Sequence, residues 1–130
     1  MVSDDLYRKH ILDHYAHPRN WGRLANPDIV ADADDPSCGD RVHIEIGLDD
    51  ARRVGQIAFE GEGCMISMAA TSILTEHVKG RSLEELESLT EDNMLALVDI
   101  PVGLSRRRCA LLPLKVLQSG LRAYRAESNT

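Results

Sequence analysis

A change of period divides this chain. Between Arg41 and Leu48 the residues alternate, with Val42, Ile44, Ile46 and Leu48 set against Arg41, His43, Glu45 and Gly47. A period of two marks a half-buried strand. Asp49-Asp50 supplies a turn, and Val54, Ile57 and Phe59 continue into a further strand, so the pair predicts an antiparallel meander. A short strand is also expected over Ile29 to Ala33. After Gly63 the spacing becomes helical. Met65 to Lys79 contains no Gly or Pro, Met65, Met68, Ala69, Ser72, Ile73 and Glu76 recur at helical intervals, and Gly80 fits a C-terminal stop. Strands followed by helices predict an α+β fold with the helices packed on one face of the sheet.

The flanks complete the pattern. Ser3, Asp4 and Asp5 suit the start of a helix carrying Tyr7, Ile11 and Tyr15 on one stripe and ending before Pro18. Residues His17 to Gly22 and Asn26-Pro27 form turns. Ser82-Leu83-Glu84-Glu85 opens a short helix as a capping box, Thr90 to Val98 holds another, and a last helix runs through Leu112, Val116, Leu117 and Tyr124. Pro113 cannot donate a helical hydrogen bond, so that helix is expected to begin near Leu111 or to kink, leaving Cys109 in a more mobile loop.

The 130 residues carry no repeat or linker and are expected to form a single domain over 1–130. A net charge of −6 argues against binding nucleic acid. There is no signal-peptide core and no run of membrane-spanning length, so a cytoplasmic protein without a membrane partner is expected.

Three cysteines stand far apart, at Cys38, Cys64 and Cys109, and cannot all pair within one chain. A reducing cytosol disfavours disulfides in any case. Cys38 is followed by Gly39 and Asp40 in a loop between strands. Cys64 is expected at a helix N-terminus, where free amides favour a thiolate, and Arg106, Arg107 and Arg108 are expected to lower the pKa of Cys109. If the fold gathers them, Cys38, Asp40, Cys64 and Cys109 make one four-ligand site suited to zinc or an iron–sulfur cluster. Isolated cysteines are also common as small core hydrophobes, and spacing alone leaves both readings open.

The flanking residues say more. Pro36-Ser37-Cys38-Gly39-Asp40, Phe59-Glu60-Gly61-Glu62-Gly63-Cys64 with Ile66-Ser67-Met68-Ala69, Thr75-Glu76 with Val78-Lys79-Gly80, and Leu6-Tyr7 through His14-Tyr15 with Pro18-Arg19-Asn20 resemble the iron–sulfur cluster assembly family of IscU, SufU and the N-terminal domain of NifU. The resemblance spans essentially the whole chain. It implies a three-stranded antiparallel sheet with helices packed on it, and it makes Cys38, Asp40, Cys64 and Cys109 the site. It also implies sulfur received from a pyridoxal-phosphate-dependent (PLP) cysteine desulfurase. Zn2+, iron or a transient [2Fe–2S] cluster would be bound there, for delivery to a downstream carrier or apo-protein. Cys38 and Cys109 would be the reactive thiols.

Departures bear on the subtype. IscU-type members carry histidine where this chain has Arg108, and their chaperone motif is only faintly echoed at Ile100-Pro101-Val102-Gly103. The run Arg106 to Leu112 is similar to SufU proteins, which hold zinc and accept sulfur. Yet 44 residues separate Cys64 from Cys109, without the SufU insertion. A scaffold and a zinc-dependent sulfurtransferase therefore both remain open, beside a non-catalytic zinc-stabilised binding module. Elsewhere His10, His14 and His17 are expected on an exposed helix face, His43 on a solvated strand face, and Met65 and Met68 in the core. Arg106 is a candidate partner for a site thiolate, and Trp21 sits in a loop with no assigned contact.

Overall fold

The meander is present. The computed structural model describes residues 2–36 and 39–128, and the side chains among them except those of residues 2–8, 104, 105 and 128. Strands β1 (Ile29–Asp35), β2 (Asp40–Leu48) and β3 (Val54–Glu62) form an antiparallel sheet in the order β1-β2-β3. Register pairs Ile29 with Ile46, Ala31 with Ile44 and Ala33 with Val42, while Ile46 meets Ile57, Ile44 meets Phe59 and Val42 meets Gly61. These rows place Ile29, Ile46 and Ile57, then Ala31, Ile44 and Phe59, on one apolar face. β1 runs on to Asp35, beyond the expected Ala33, because Asp34 and Asp35 still find partners in Arg41 and Asp40.

The helices are α1 (Val2–Ala16), α2 (Met65–Val78), α3 (Leu83–Glu87), α4 (Glu91–Val98) and α5 (Leu104–Ser128). α2 and α5 cover that apolar face, and α1, α3 and α4 pack against those two. α2 lies at the centre of the molecule, with Ile66 to Thr75 buried on every side. Its polar residues are small, and their hydroxyls turn back on the helix: Thr71 Oγ1 donates to Ser67 O at 2.7 Å and Thr75 Oγ1 to Ser72 O at 2.7 Å. α5 crosses β1 closely because both surfaces are small there. A Cβ on Gly120 would stand 2.8 Å from Ala31 Cβ.

Local signals explain the short helices. Ser82 caps α3 in a reciprocal box with Glu85, and Thr90 does the same for α4 with Asn93. α1 starts at Val2, so Ser3 lies inside the helix rather than capping it. Its inward stripe also differs from expectation. Ile11 and His14 are buried, whereas Tyr15 is 46% exposed. His14 Nδ1 lies 2.8 Å from Ser72 Oγ, which also accepts the Arg19 N–H at 2.9 Å, so the polar stripe of α2 draws the histidine inward. His10 and His17 stay exposed.

Burial holds the His14 pKa below its ordinary value of 6.5, and burial shifts His77 in the same direction. The native state therefore binds fewer protons than the unfolded chain as pH falls through that value. Stability is fully present above it and is lost below it. We expect the urea midpoint to drop between about pH 7.5 and about pH 5.5, with His14→Gln removing part of that slope. Asp13, Arg19, His10 and Glu76 surround His14 and set the background.

The other sheet face is polar and largely open, with Val30, Asp32 and Arg41 exposed, but it is covered at His43 and Glu45. His43 faces away from the core as expected, but its side chain is only 14% exposed. Its Nε2 meets Glu45 Oε2 at 2.8 Å and its Nδ1 meets Asp32 at 3.3 Å. Glu45 also accepts the Leu24 N–H at 2.8 Å, which fastens the segment after α1 over the sheet. That segment extends the sheet edge. Phe59 N–H donates to Asn20 O and Gly22 N–H to Phe59 O, and the Trp21 ring meets Phe59 edge-on at 5.2 Å.

α5 corrects a further expectation. It runs from Leu104 through Pro113 without restarting near Leu111. Its first turns are held by other means. Arg106 and Arg107 N–H groups donate to Gly103 O, Arg107 pairs with Glu91 on α4, and Cys109 and Ala110 are buried. Tertiary packing thus outweighs the cost of about 3 kcal/mol for an internal proline.

Candidate metal centre

Three elements converge at one end of the sheet. Asp40 opens β2, Cys64 stands at the N-cap of α2, and Cys109 lies in the second turn of α5. One oxygen and two sulfurs from these residues all lie within 4.8 Å of one another. Cys38 and Ser37 lie outside the described residues, so the fourth expected ligand is placed only by sequence, two residues before Asp40.

Each side chain is oriented by its neighbours. Asp40 is fully buried, and its Oδ1 accepts the Cys64 N–H at 2.8 Å. One carboxylate oxygen thus caps the amide at the helix start and leaves Oδ2 toward the sulfur, 3.7 Å from Cys64 Sγ. Gly63 makes this approach possible. It has φ +152°, and a Cβ there would collide with the Asp40 carboxyl group. Cys64 Sγ accepts the Ser67 N–H at 3.4 Å, taking the place of a capping oxygen, and Ser67 Oγ donates to Cys64 O at 3.0 Å. Sequence reasoning missed Ser67. Its position three residues after the cap was the available signal.

Cys109 behaves contrary to expectation. Its thiol is pushed well above the ordinary cysteine range, first by burial and then by sharing the pocket with Cys64 and Asp40. The arginines do not offset this because their charges go elsewhere, Arg107 to Glu91 and Arg108 to Asp35 at 3.0 Å, while Arg106 is exposed. Among the described residues no hydrogen bond joins Arg106 to a site thiol. Met68 is buried as expected, but Met65 is 37% exposed. An open groove of about 580 Å³ adjoins the site, lined by Tyr15, Pro18, Trp21, Glu62, Gly63 and Met68 among others.

The donor set fits a thiophilic cation. Zinc bonds of roughly 2.3 Å to sulfur and 2.1 Å to oxygen at a tetrahedral angle put the two donors about 3.6 Å apart. The observed Cys64–Asp40 separation of 3.7 Å matches without rearrangement. A cation would also offset the acidic neighbours that, after burial, raise the Cys109 pKa. Cys64 and Cys109 are free thiols.

Residues 6–130 match the family described as NifU-like N terminal domain. The chain is 40% identical over 135 aligned positions to the protein of Bacillus subtilis (strain 168) named zinc-dependent sulfurtransferase SufU, covering 91% of this chain and 90% of that one. That alignment is longer than this chain, so the relative carries residues this chain lacks. The chain is 29% identical over 122 positions to the iron–sulfur cluster assembly scaffold protein IscU of Buchnera aphidicola subsp. Acyrthosiphon pisum (strain APS), covering 92% and 94%. A solved structure of a NifU-like protein N-terminal domain from Brucella abortus, 24% identical, superposes with a TM-score of 0.77 over 98% of this chain and 99% of that one, which shows the fold. No helix among the described residues is long and apolar enough to cross a membrane.

Proposed function

The chain belongs to the NifU-like N-terminal domain family, and from that premise we propose that it is an iron–sulfur cluster assembly protein that accepts persulfide sulfur at a site built from Cys38, Asp40, Cys64 and Cys109. The observation that carries this reading is the convergence of Asp40, Cys64 and Cys109 from three separate elements, with donor atoms within 4.8 Å. A core in which cysteines served only as small hydrophobes would have no reason to bury a carboxylate against two of them.

The sulfur donor is a PLP-dependent cysteine desulfurase. A thiolate of the site, Cys38 or Cys109, attacks the terminal sulfur of the donor's Cys–S–SH group. The donor S–S bond breaks, the donor leaves as a thiolate, and a persulfide forms on this chain with no net oxidation. Asp40 and Ser67 hold Cys64 in place. Zinc, when bound, keeps the site thiols ionised near neutral pH. The zinc-dependent route is supported by the 40% identity to a zinc-dependent sulfurtransferase. A second route treats iron and sulfide as cargo built into a transient [2Fe–2S] cluster on the same four groups, for transfer to a carrier or apo-protein. Its support is the missing stretch relative to that relative.

The test is anaerobic mixing with a desulfurase, cysteine and ferrous iron, followed by optical spectra and intact mass. A persulfide mass increment on zinc-loaded protein without a chromophore is expected for the first route, and a cluster chromophore for the second. A protein that binds zinc and yields neither signal is a zinc-stabilised binding module instead.

A further inference from the structure

We propose that Arg108 is a positioning residue for this site, tying the β1–β2 hairpin to α5 through Asp35. The inference rests on the metal-site reading above and assigns a task to the residue that departs from the IscU pattern. Asp35 works in two directions. Its backbone closes the hairpin, because its C=O accepts the Gly39 N–H at 2.8 Å and its register partner is Asp40. Its carboxylate, with the side chain only 11% exposed, meets Arg108 Nη2 at 3.0 Å, across 73 positions of sequence. Arg108 immediately precedes Cys109. One ion pair thus joins the end of β1, from which the sequence runs through Cys38 to Asp40, to the helix turn that presents Cys109.

The remaining joints place this pair. Asp40 is bound to the Cys64 amide, which couples β2 to α2. Arg107 pairs with Glu91 at 3.3 Å, which couples α5 to α4, away from the hairpin. Asp35–Arg108 is therefore the ion pair whose loss loosens the end of β1 against the turn that carries Cys109, while the close packing of Gly120 on Ala31 still holds α5 to the sheet and Asp40, Cys64 and Cys109 keep their own side chains. Arg108 is 59% exposed, so its pairing adds little to overall stability, and its effect falls on geometry.

The test uses cobalt(II) as the probe metal, with thiolate-to-cobalt absorption and the rate of metal transfer to a chelator as readouts. Arg108→Ala is expected to release cobalt about tenfold faster, in the range seen when residues that orient metal ligands are lost. Arg108→Lys should recover part of the difference, since lysine still pairs with Asp35. Asp35→Asn should also accelerate release, the double variant should be no worse than Asp35→Asn alone, and Arg107→Ala should release at the wild-type rate. The apo variants should unfold at the wild-type temperature. Wild-type release from Arg108→Ala, or equal acceleration by Arg107→Ala, overturns the proposal. A wild-type protein that shows no thiolate-to-cobalt absorption removes the metal-site reading itself, which is a different result.

Discussion

Gly63→Ala is expected to abolish metal binding and to destabilise the fold by about 3 kcal/mol, although it changes no ligand. Two costs combine. The backbone has φ +152°, which side chains other than glycine rarely adopt, and the new Cβ would collide with the Asp40 carboxylate. Asp40 has nowhere to retreat, since it is fully buried and its Oδ1 holds the Cys64 amide. Either the carboxylate leaves the pocket or the chain at Gly63 rotates, and both outcomes part Asp40 from Cys64. Urea unfolding and cobalt spectra measure the two effects separately. Gly103→Ala is the matched control, because a Cβ there meets nothing within 4 Å. Cobalt absorption of wild-type intensity in Gly63→Ala would show that the Asp40–Cys64 contact is dispensable.

The same loop shows what could be read in the sequence. The facing of the strands followed from alternation, because Val42, Ile44 and Ile46 must share a face; the register itself, which pairs Ile44 with Phe59 and Ile46 with Ile57, did not, since a shift of two residues keeps the same faces. The N-cap position of Cys64 followed from the glycine before it and the helical spacing after it. The cap at Ser82 was legible from Glu85 three residues on, and the helix over Thr90 to Val98 is present with Thr90 as its N-cap. What escaped were effects of position in space. Tyr15 and His14 exchanged expected places because Ser72 offers the histidine a buried hydroxyl partner at 2.8 Å. α2 showed helical spacing but gave no sign that its stretch from Ile66 to Thr75 would be covered on every side.

Cys109 departs from what its local sequence suggests for a related reason. Adjacent arginines in sequence suggested an ionised thiol, yet Arg107 and Arg108 point toward Glu91 and Asp35, and burial decides the outcome. Pro113 suggested a loop, yet the packed turn before it is stable enough to include a residue that denies Cys109 O its usual helical partner. Both errors ran the same way. Local chemistry favoured a loose, charged thiol, while packing produces a held one whose pKa burial raises.

Asp40→Asn is expected to separate the structural from the ligand role of Asp40, with opposite signs in the apo and metal-loaded protein. In the apo protein the carboxylate is buried beside two thiols, and its charge is one cause of the raised Cys109 pKa. Asparagine keeps an oxygen for the Cys64 amide but removes that charge. The apo variant should therefore unfold at or above the wild-type temperature, whereas Asp40→Ala, which leaves the amide without its acceptor, should cost about 1–3 kcal/mol. With metal present the order reverses. An amide oxygen is a weaker zinc ligand than a carboxylate, and a loss of about a hundredfold in affinity removes about 2.7 kcal/mol of zinc-linked stabilisation at saturating metal. The decisive measurement is the zinc-induced shift in melting temperature for the three proteins. It should be large in the wild type, small in Asp40→Asn despite a stable apo fold, and small in Asp40→Ala from a lower baseline. A full zinc shift in Asp40→Asn would mean that the carboxylate serves only to cap the helix and that the metal is held by the thiols alone.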